Sequence, residues 1–370
     1  MEISKRRVIW ASFAVVAALL VAMPAMAASN GGGGVSLPPL TIPGLSGTST
    51  TTTAVPTTTT SSTTTSSTTT TSTTSTTTTS STTTTTTPPA QPTCGGNQTV
   101  TDDGVTWTCT FDAEFDGTSF DPNQWTATTT EDSGYTAGDA CYEDDPQNVS
   151  VGNGYLSLTV NKTSDFVCDS PSGDFVSSYT AGELTSYEKF SQTYGRVEIV
   201  AKVPATTVAG LQSSLWLYPE SLSNDSEDGT TAEIDIAEWY SEYPGLAIPY
   251  LHYDASTTNS GSSGVNAITN NNCDIDQNAF NDYVLEWTPT TITIIYNGTT
   301  CLVDQWQPAS PESAPEPFNQ PFFLNLTAAV GTGSDADTGS TPFPDTTEIK
   351  YVRVWQGNFS TNSARSMVKH

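Results

Sequence analysis

Basic residues are scarce in this chain. Eleven Lys and Arg stand against 39 Asp and Glu in 370 residues, for a net charge of −28. A chain this negative repels polyanions, which excludes nucleic acid as a partner and disfavours a sulfated or uronic-acid polysaccharide; a neutral ligand fits better. Histidine is scarcer still, with two, and no cysteines stand as a CxxC pair. The ligand sets of a zinc site are therefore missing. Beyond residue 27 no apolar run approaches the roughly 20 residues that span a bilayer, and no long run has helical period.

The chain opens with Lys5, Arg6 and Arg7, a mostly apolar run from Val8 to Val21, and the small-x-small triplet Ala25-Met26-Ala27. Residues 1–27 are thus expected to be a secretory signal, with the mature protein secreted or wall-associated and free of the membrane. Residues 48–87 are almost entirely Ser and Thr, with Pro38, Pro39, Pro43, Pro88 and Pro89 around them. Such a tract cannot bury enough surface to offset its ordering entropy. Residues 28–93 are expected to be an extended linker, and 94–370 one folded domain.

Within that domain, short alternating runs are separated by Gly, Asn, Asp, Ser and Pro. Examples are 149–160, 194–203, 214–218, 233–240, 282–288, 291–298, 322–330 and 348–356. Many strands at this spacing predict an all-β sandwich or jelly roll. Phe111, Trp287 and Trp355 lie in alternating patterns and are expected in its core. The six cysteines, in an exported chain, suggest three disulfides. Their pairing is open from sequence; joining neighbours (Cys94–Cys109, Cys141–Cys168, Cys273–Cys301) closes three local loops and is the expected arrangement.

Residues 233–238 read EIDIAE. Glu233 and Asp235 share a strand face, but alternation puts Glu238 on the other. Alternating acids in an acidic protein are ordinarily a solvated face. Here the flanks are aromatic (Trp216 and Tyr218 before, Trp239, Tyr240 and Tyr243 after), and like charges packed side by side cost energy that a structural face has no reason to spend. One looped-out residue between Asp235 and Glu238 would return Glu238 to the face of the other two. The glutamates then sit four positions apart, with Cα atoms roughly 13 Å apart, and inward-leaning side chains leave about 5 Å between carboxylates. That is the separation of a retaining glycosidase, about 5–5.5 Å. Neighbouring carboxylates are expected to raise the pKa of Glu238, as a proton donor requires.

EIDIAE resembles the bulged E-x-D-x-x-E signature of glycoside hydrolase family 16, in its laminarinase-like branch. Segments in family order accompany it: AEFDGTSFDPNQW (113–125), YGRVEIVAKVP (194–204), SLWLYP (214–219), YLHY (250–253), DYVLEWTP (282–289), FFLNLTAAVG (322–331) and YVRVWQ (351–356). The resemblance implies a concanavalin-like β-jelly roll with an open cleft on its concave sheet, and retaining endo-hydrolysis of a β-linked polysaccharide. By the same resemblance Glu233 is the nucleophile, Glu238 the acid/base and Asp235 a helper of the nucleophile. Trp216 is a sugar platform, with Trp239, Glu183, His252 and Asn325 as further substrate-binding positions. It implies no catalytic cofactor, a structural calcium in some members, and a monomer. Two departures bear on substrate: Gln212 stands where many members carry a second tryptophan, and Gly331-Thr332 where Gly-Gly is usual. A β-1,3- or mixed β-1,3(4)-glucan is the expected substrate. Another neutral β-glycan such as galactan, transglycosylation, and a glycan-binding module are the alternatives; such modules lose the glutamates.

Overall fold

The computed structural model describes residues 92–102, 104–221, 232–253, 267–310 and 312–359. The signal at 1–27 and nearly all of the 28–93 linker lie outside the described residues. Among the described residues no helix is long and apolar enough to cross a membrane.

Alternation in the sequence becomes strand. Val149–Gly152 turns back as Tyr155–Cys168 through Asn153 and Gly154, whose φ angles of 57° and 85° are the left-handed pair that a two-residue hairpin demands. The strands build two sheets, the β-jelly-roll sandwich expected from the sequence. The first runs Thr299–Asp304, Ile292–Tyr296, Asn281–Trp287, Gly195–Lys202, Asp345–Gly357, Tyr155–Cys168, Phe175–Ala181 and Ala140–Tyr142, with Val105–Ala113 also pairing Asp345–Gly357. The second runs Ala267–Thr269, Ile248–His252, Glu233–Tyr240, Leu211–Pro219, Phe322–Val330, Glu183–Thr185 and Thr126–Ala127. Cys94–Cys109, Cys141–Cys168 and Cys273–Cys301 are bonded, the expected neighbour pairing, and no cysteine is free.

The two sheets bury their residues differently. Gly195–Lys202 alternates between buried and half-buried positions along its whole length, one face in the core and one toward water. Phe322–Val330 is buried at every position, and Glu233–Tyr240 at all but its last. Leu215, Leu217, Ile234, Leu251, Leu324 and Leu326 face the core, with Ile199, Leu285, Trp287, Ile294 and Val352 among their partners in it. Phe111 also lies there, whereas Trp355 packs in a separate small cluster with Trp107 and the Cys94–Cys109 bridge.

The motif strand carries the expected irregularity. Asp235 pairs with Trp216 and Ala237 with Leu215, leaving Ile236 without a partner on that side. On the other side the register slips between Asp235–Tyr250 and Glu238–Ile248. Ile236 and Ala237 both enter the core, beside Ile234 and Trp239. The Tyr296 hydroxyl, from the opposite sheet, donates to the Ile236 carbonyl at 2.7 Å. The surplus residue of the Leu211–Pro219 register is thus Ile236, not Ala237 beside the glutamate.

Deleting Ala237 is expected to close the bulge while keeping the Ile236 side chain in the core, giving a folded variant of reduced stability. Deleting Ile236 closes it as well but leaves alanine where isoleucine packed, and should be less stable by a further 2–5 kcal/mol or so. Deleting Ile234 turns Glu233 toward the core and should prevent folding. Urea unfolding of the three variants gives the order. Equal damage from deleting Ala237 and Ile234 would remove the bulge as the explanation.

Candidate active site

The outer face of the second sheet is polar yet buried. Glu183, Ser214, Glu233, Asp235, Glu238, Asn325 and Thr327 are all buried, although side chains on an outer sheet face are ordinarily wet. Other groups therefore cover them, which makes this face a recess. The bulge delivers the acids to it: Glu233 lies opposite His252, Asp235 between Trp216 and Tyr250, and Glu238 between Ser214 and Ile248. Asn325 is the cross-strand partner of Trp216.

Each acid has a different environment. His252 Nε2 is 3.1 Å from Asp235 Oδ2. The Tyr240 hydroxyl donates to Glu238 Oε2 at 2.6 Å, and Gln212 Nε2 donates to Oε1 at 3.2 Å. Among the described residues, Glu233 Oε2 and Asn325 Nδ2 are buried with no hydrogen-bond partner, while Asp235 Oδ2 and His252 Nε2 have only each other at contact distance. Buried polar atoms are nearly always paired, and a bound sugar hydroxyl is the kind of group that would complete these.

Burial raises the pKa of all three motif acids. At Glu233, burial is reinforced by the Asp235 charge, and the hydrogen bond between the two pushes Glu233 up and Asp235 down. His252 pulls Glu233 the other way. At Glu238 burial is the main cause of the rise, opposed by Tyr240, His252 and Gln212. Burial is thus the first cause of the rise, and the repulsion between Glu238 and the neighbouring carboxylates, expected from the sequence, registers at Glu233 and Asp235.

Glu183 and Trp216 act together. The Trp216 indole donates to Thr327 Oγ1 at 2.9 Å, and that hydroxyl donates to Glu183 Oε2 at 2.8 Å. Tyr135 stacks on Trp216 with centroids 6.2 Å apart and planes at 23°. Burial lifts Glu183 to about 7 against hydrogen bonds from Thr327, Thr128 and Tyr135.

Of the sequence-derived positions, Glu183, Trp216, Glu233, Asp235, Glu238, His252 and Asn325 meet on this face. Trp239 does not. It is 1% exposed, lies in the core, and donates its indole N–H to the Pro244 carbonyl. The bulge that turns Glu238 outward turns the next residue inward. Tyr240, two positions after Glu238, was missed although alternation from the glutamate would have placed it here. Thr327 and Tyr135 had no local signal. Among the described residues, one set of three acid or histidine side chains is close enough to share an ion, Glu233, Asp235 and His252, with ligand atoms within 4.8 Å. It coincides with the motif acids, so the calcium implied by the resemblance gains no carboxylate set of its own there.

Glu183 has a stability signature. Its folded pKa of about 7 lies above the ordinary 4.5, so between those values the folded state binds the extra proton. Stability should fall as pH rises through this window and level off above it. Glu183→Gln removes that contribution. The variant should match the wild type near pH 4 and gain up to about 3 kcal/mol on it near pH 8. Urea unfolding across this range tests it; a constant difference at all pH values would contradict the assigned pKa.

Comparison with known proteins follows the same lines. Residues 138–364 match the family described as Glycosyl hydrolases family 16. Glucan endo-1,3-beta-glucosidase A1 of Niallia circulans is 29% identical over 262 residues, covering 66% of this chain and 37% of that protein. Keratan-sulfate endo-1,4-beta-galactosidase of Sphingobacterium multivorum is 27% identical over 187 residues, covering 48% of this chain and 40% of that protein. The chain therefore spans less than half the length of either relative. The X-ray structure of endo-beta-1,3-glucanase from Pyrococcus furiosus shares the fold, with a TM-score of 0.57 at 21% identity over 71% of this chain and 99% of that one. With the match extending across most of the sandwich and over every motif acid, this chain belongs to glycosyl hydrolases family 16.

Proposed function

We propose that this chain is a secreted, retaining endo-glycosidase that hydrolyses a neutral β-glucan, β-1,3- or mixed β-1,3(4)-linked. The observation that carries this reading is the bulge at Ile236, which sets Glu233, Asp235 and Glu238 on one buried polar face beside Trp216. Glu233, unprotonated once substrate is bound, attacks the anomeric carbon from one side of the sugar. Glu238 gives its proton to the departing glycosidic oxygen. It then takes a proton from the water that releases the glycosyl-enzyme, and the two inversions leave the β configuration intact. Asp235, with His252 beside it, takes up the proton shared with Glu233 and fixes that carboxylate. Trp216, held through its indole N–H and the Tyr135 ring, offers an aromatic face for a pyranose.

Charge supports a neutral substrate. Among the described residues, none of Glu183, Glu233, Asp235 and Glu238 has an ion pair with lysine or arginine. A sulfate or uronate entering this recess would meet the carboxylates with no lysine or arginine among those residues to offset them. The glucanase relative favours β-1,3-glucan, while Gln212 in place of a tryptophan keeps a neutral galactan as the second reading. Three disulfides suit an oxidising compartment and, with the signal expected at residues 1–27, an exported protein.

Incubation with laminarin, lichenan, galactan, xyloglucan and keratan sulfate, with sizing of the products, tests the substrate. Internal cleavage of laminarin or lichenan is expected, and none of keratan sulfate. Glu233→Gln and Glu238→Gln should each lower kcat by about 10³-fold or more with little change in Tm, and Asp235→Asn by less. Azide should partly rescue Glu238→Ala and give a β-glycosyl azide; an α adduct would contradict retention.

A further inference from the structure

The strand Leu211–Pro219 brings a side chain to Glu238 that the proposed mechanism has not yet used. Gln212 pairs with Tyr240 across the strands, and Ser214 with Glu238. The Gln212 amide therefore reaches Glu238 diagonally, 3.2 Å from Oε1, and lies 3.4 Å from the Ser214 hydroxyl. Tyr240 takes the other carboxylate oxygen, Oε2, at 2.6 Å. Each oxygen of Glu238 thus accepts one hydrogen bond, and the two donors come from different strands. Together they fix the carboxyl plane.

We propose that Gln212 is a positioning residue for the acid/base, holding Glu238 in one orientation through both halves of the reaction and keeping its proton releasable. The proposal rests on the reading of Glu238 as acid/base. A retaining acid/base must be protonated when the glycosidic bond breaks and ionised when water attacks. Burial favours the first state and would trap the group there. A donor to the carboxylate favours the second. Gln212 is uncharged, so it offsets burial without stripping the proton as a cation would. Its N–H keeps the Oε1 contact in either state.

The groups facing Glu238 are few. Its own strand presents Glu233, Asp235 and Tyr240. The strand Leu211–Pro219 presents Gln212 and Ser214, and Ile248–His252 presents Tyr250 and His252. Burial and the Glu238 charge both push Tyr240 and Tyr250 up, so these two stay protonated through the working range. Around Glu238 the titrating acids are therefore the three carboxylates, with Gln212 as a fixed donor.

The test uses the full chain carrying Gln212→Met, which keeps the length and removes the donor, and separately Gln212→Glu, which replaces it with an acid. Profiles of kcat/KM against pH are measured on laminarin. The alkaline limb, which reports loss of the Glu238 proton, should move up by about one to two pH units in Gln212→Met, since a hydrogen bond to the carboxylate favours its ionised form. It should move further in Gln212→Glu. With a dinitrophenyl β-glucoside oligomer, whose departure needs no acid, release of the glycosyl-enzyme becomes limiting and kcat near neutrality should fall several-fold in both variants. An unmoved limb with activity reduced equally at every pH, in whichever variant folds, would overturn the role of Gln212. Glu238→Gln measured on both substrates separates the two levels of inference. Loss of kcat/KM on laminarin with most of it kept on the dinitrophenyl substrate assigns the donated proton to Glu238, and equal loss on both would overturn the acid/base reading itself.

Discussion

One unpaired residue in one strand organises this site. Period-two geometry allows Glu233 and Asp235 a common face and denies it to Glu238. The surplus Ile236 cancels the mismatch. Its side chain is fully buried and its carbonyl is held by Tyr296 from the opposite sheet, so the defect is anchored by the core rather than tolerated at an edge. Burying an isoleucine is worth about 1.5–3 kcal/mol, which helps set the register against a slip that would turn Glu233 inward. Core packing and active-site geometry are here one constraint seen from two faces of a sheet.

Gathering carboxylates in a recess is unfavourable for the fold, and the recess limits that cost with hydrogen bonds. Tyr240 and Gln212 serve Glu238; Thr327, Thr128 and Tyr135 serve Glu183. Among the described residues, Glu233 Oε2 and Asn325 Nδ2 are left open beside the place where the substrate is proposed to react, and a bound sugar hydroxyl could satisfy them.

The sequence made much of this legible. Alternation located the strands, neighbour pairing located the disulfides, and the broken parity of EIDIAE located the bulge. What local pattern could not supply was register. Trp239 looked like a cleft residue because it is aromatic and adjacent to Glu238, yet adjacency on a strand means opposite faces, and it packs in the core. Gln212 was visible only as a departure, because nothing in the string tells that its strand lies beside the motif strand with residue 212 opposite residue 240. Thr327 is more than a hundred residues from both Trp216 and Glu183, which it joins. Burial as the first cause of the Glu238 shift was not legible for a related reason: linear spacing shows which charges are near but not how thoroughly water is excluded.

The scarcity of basic residues acquires a mechanistic sense from where they lie. On the first sheet, Arg196 pairs with Glu286 and Glu198, Lys202 with Glu348, and Arg353 with Glu114. The acids of the recess are held instead by hydroxyls, an amide and one imidazole. A guanidinium beside Glu238 would pull its pKa down by one to three units or so and leave no proton to give. Neutral donors orient the carboxyl while leaving burial free to keep the proton on it. For the role proposed for Glu238, giving and taking a proton within one cycle, the neutral donors Tyr240 and Gln212 orient the carboxyl without the pKa drop that a neighbouring cation would bring.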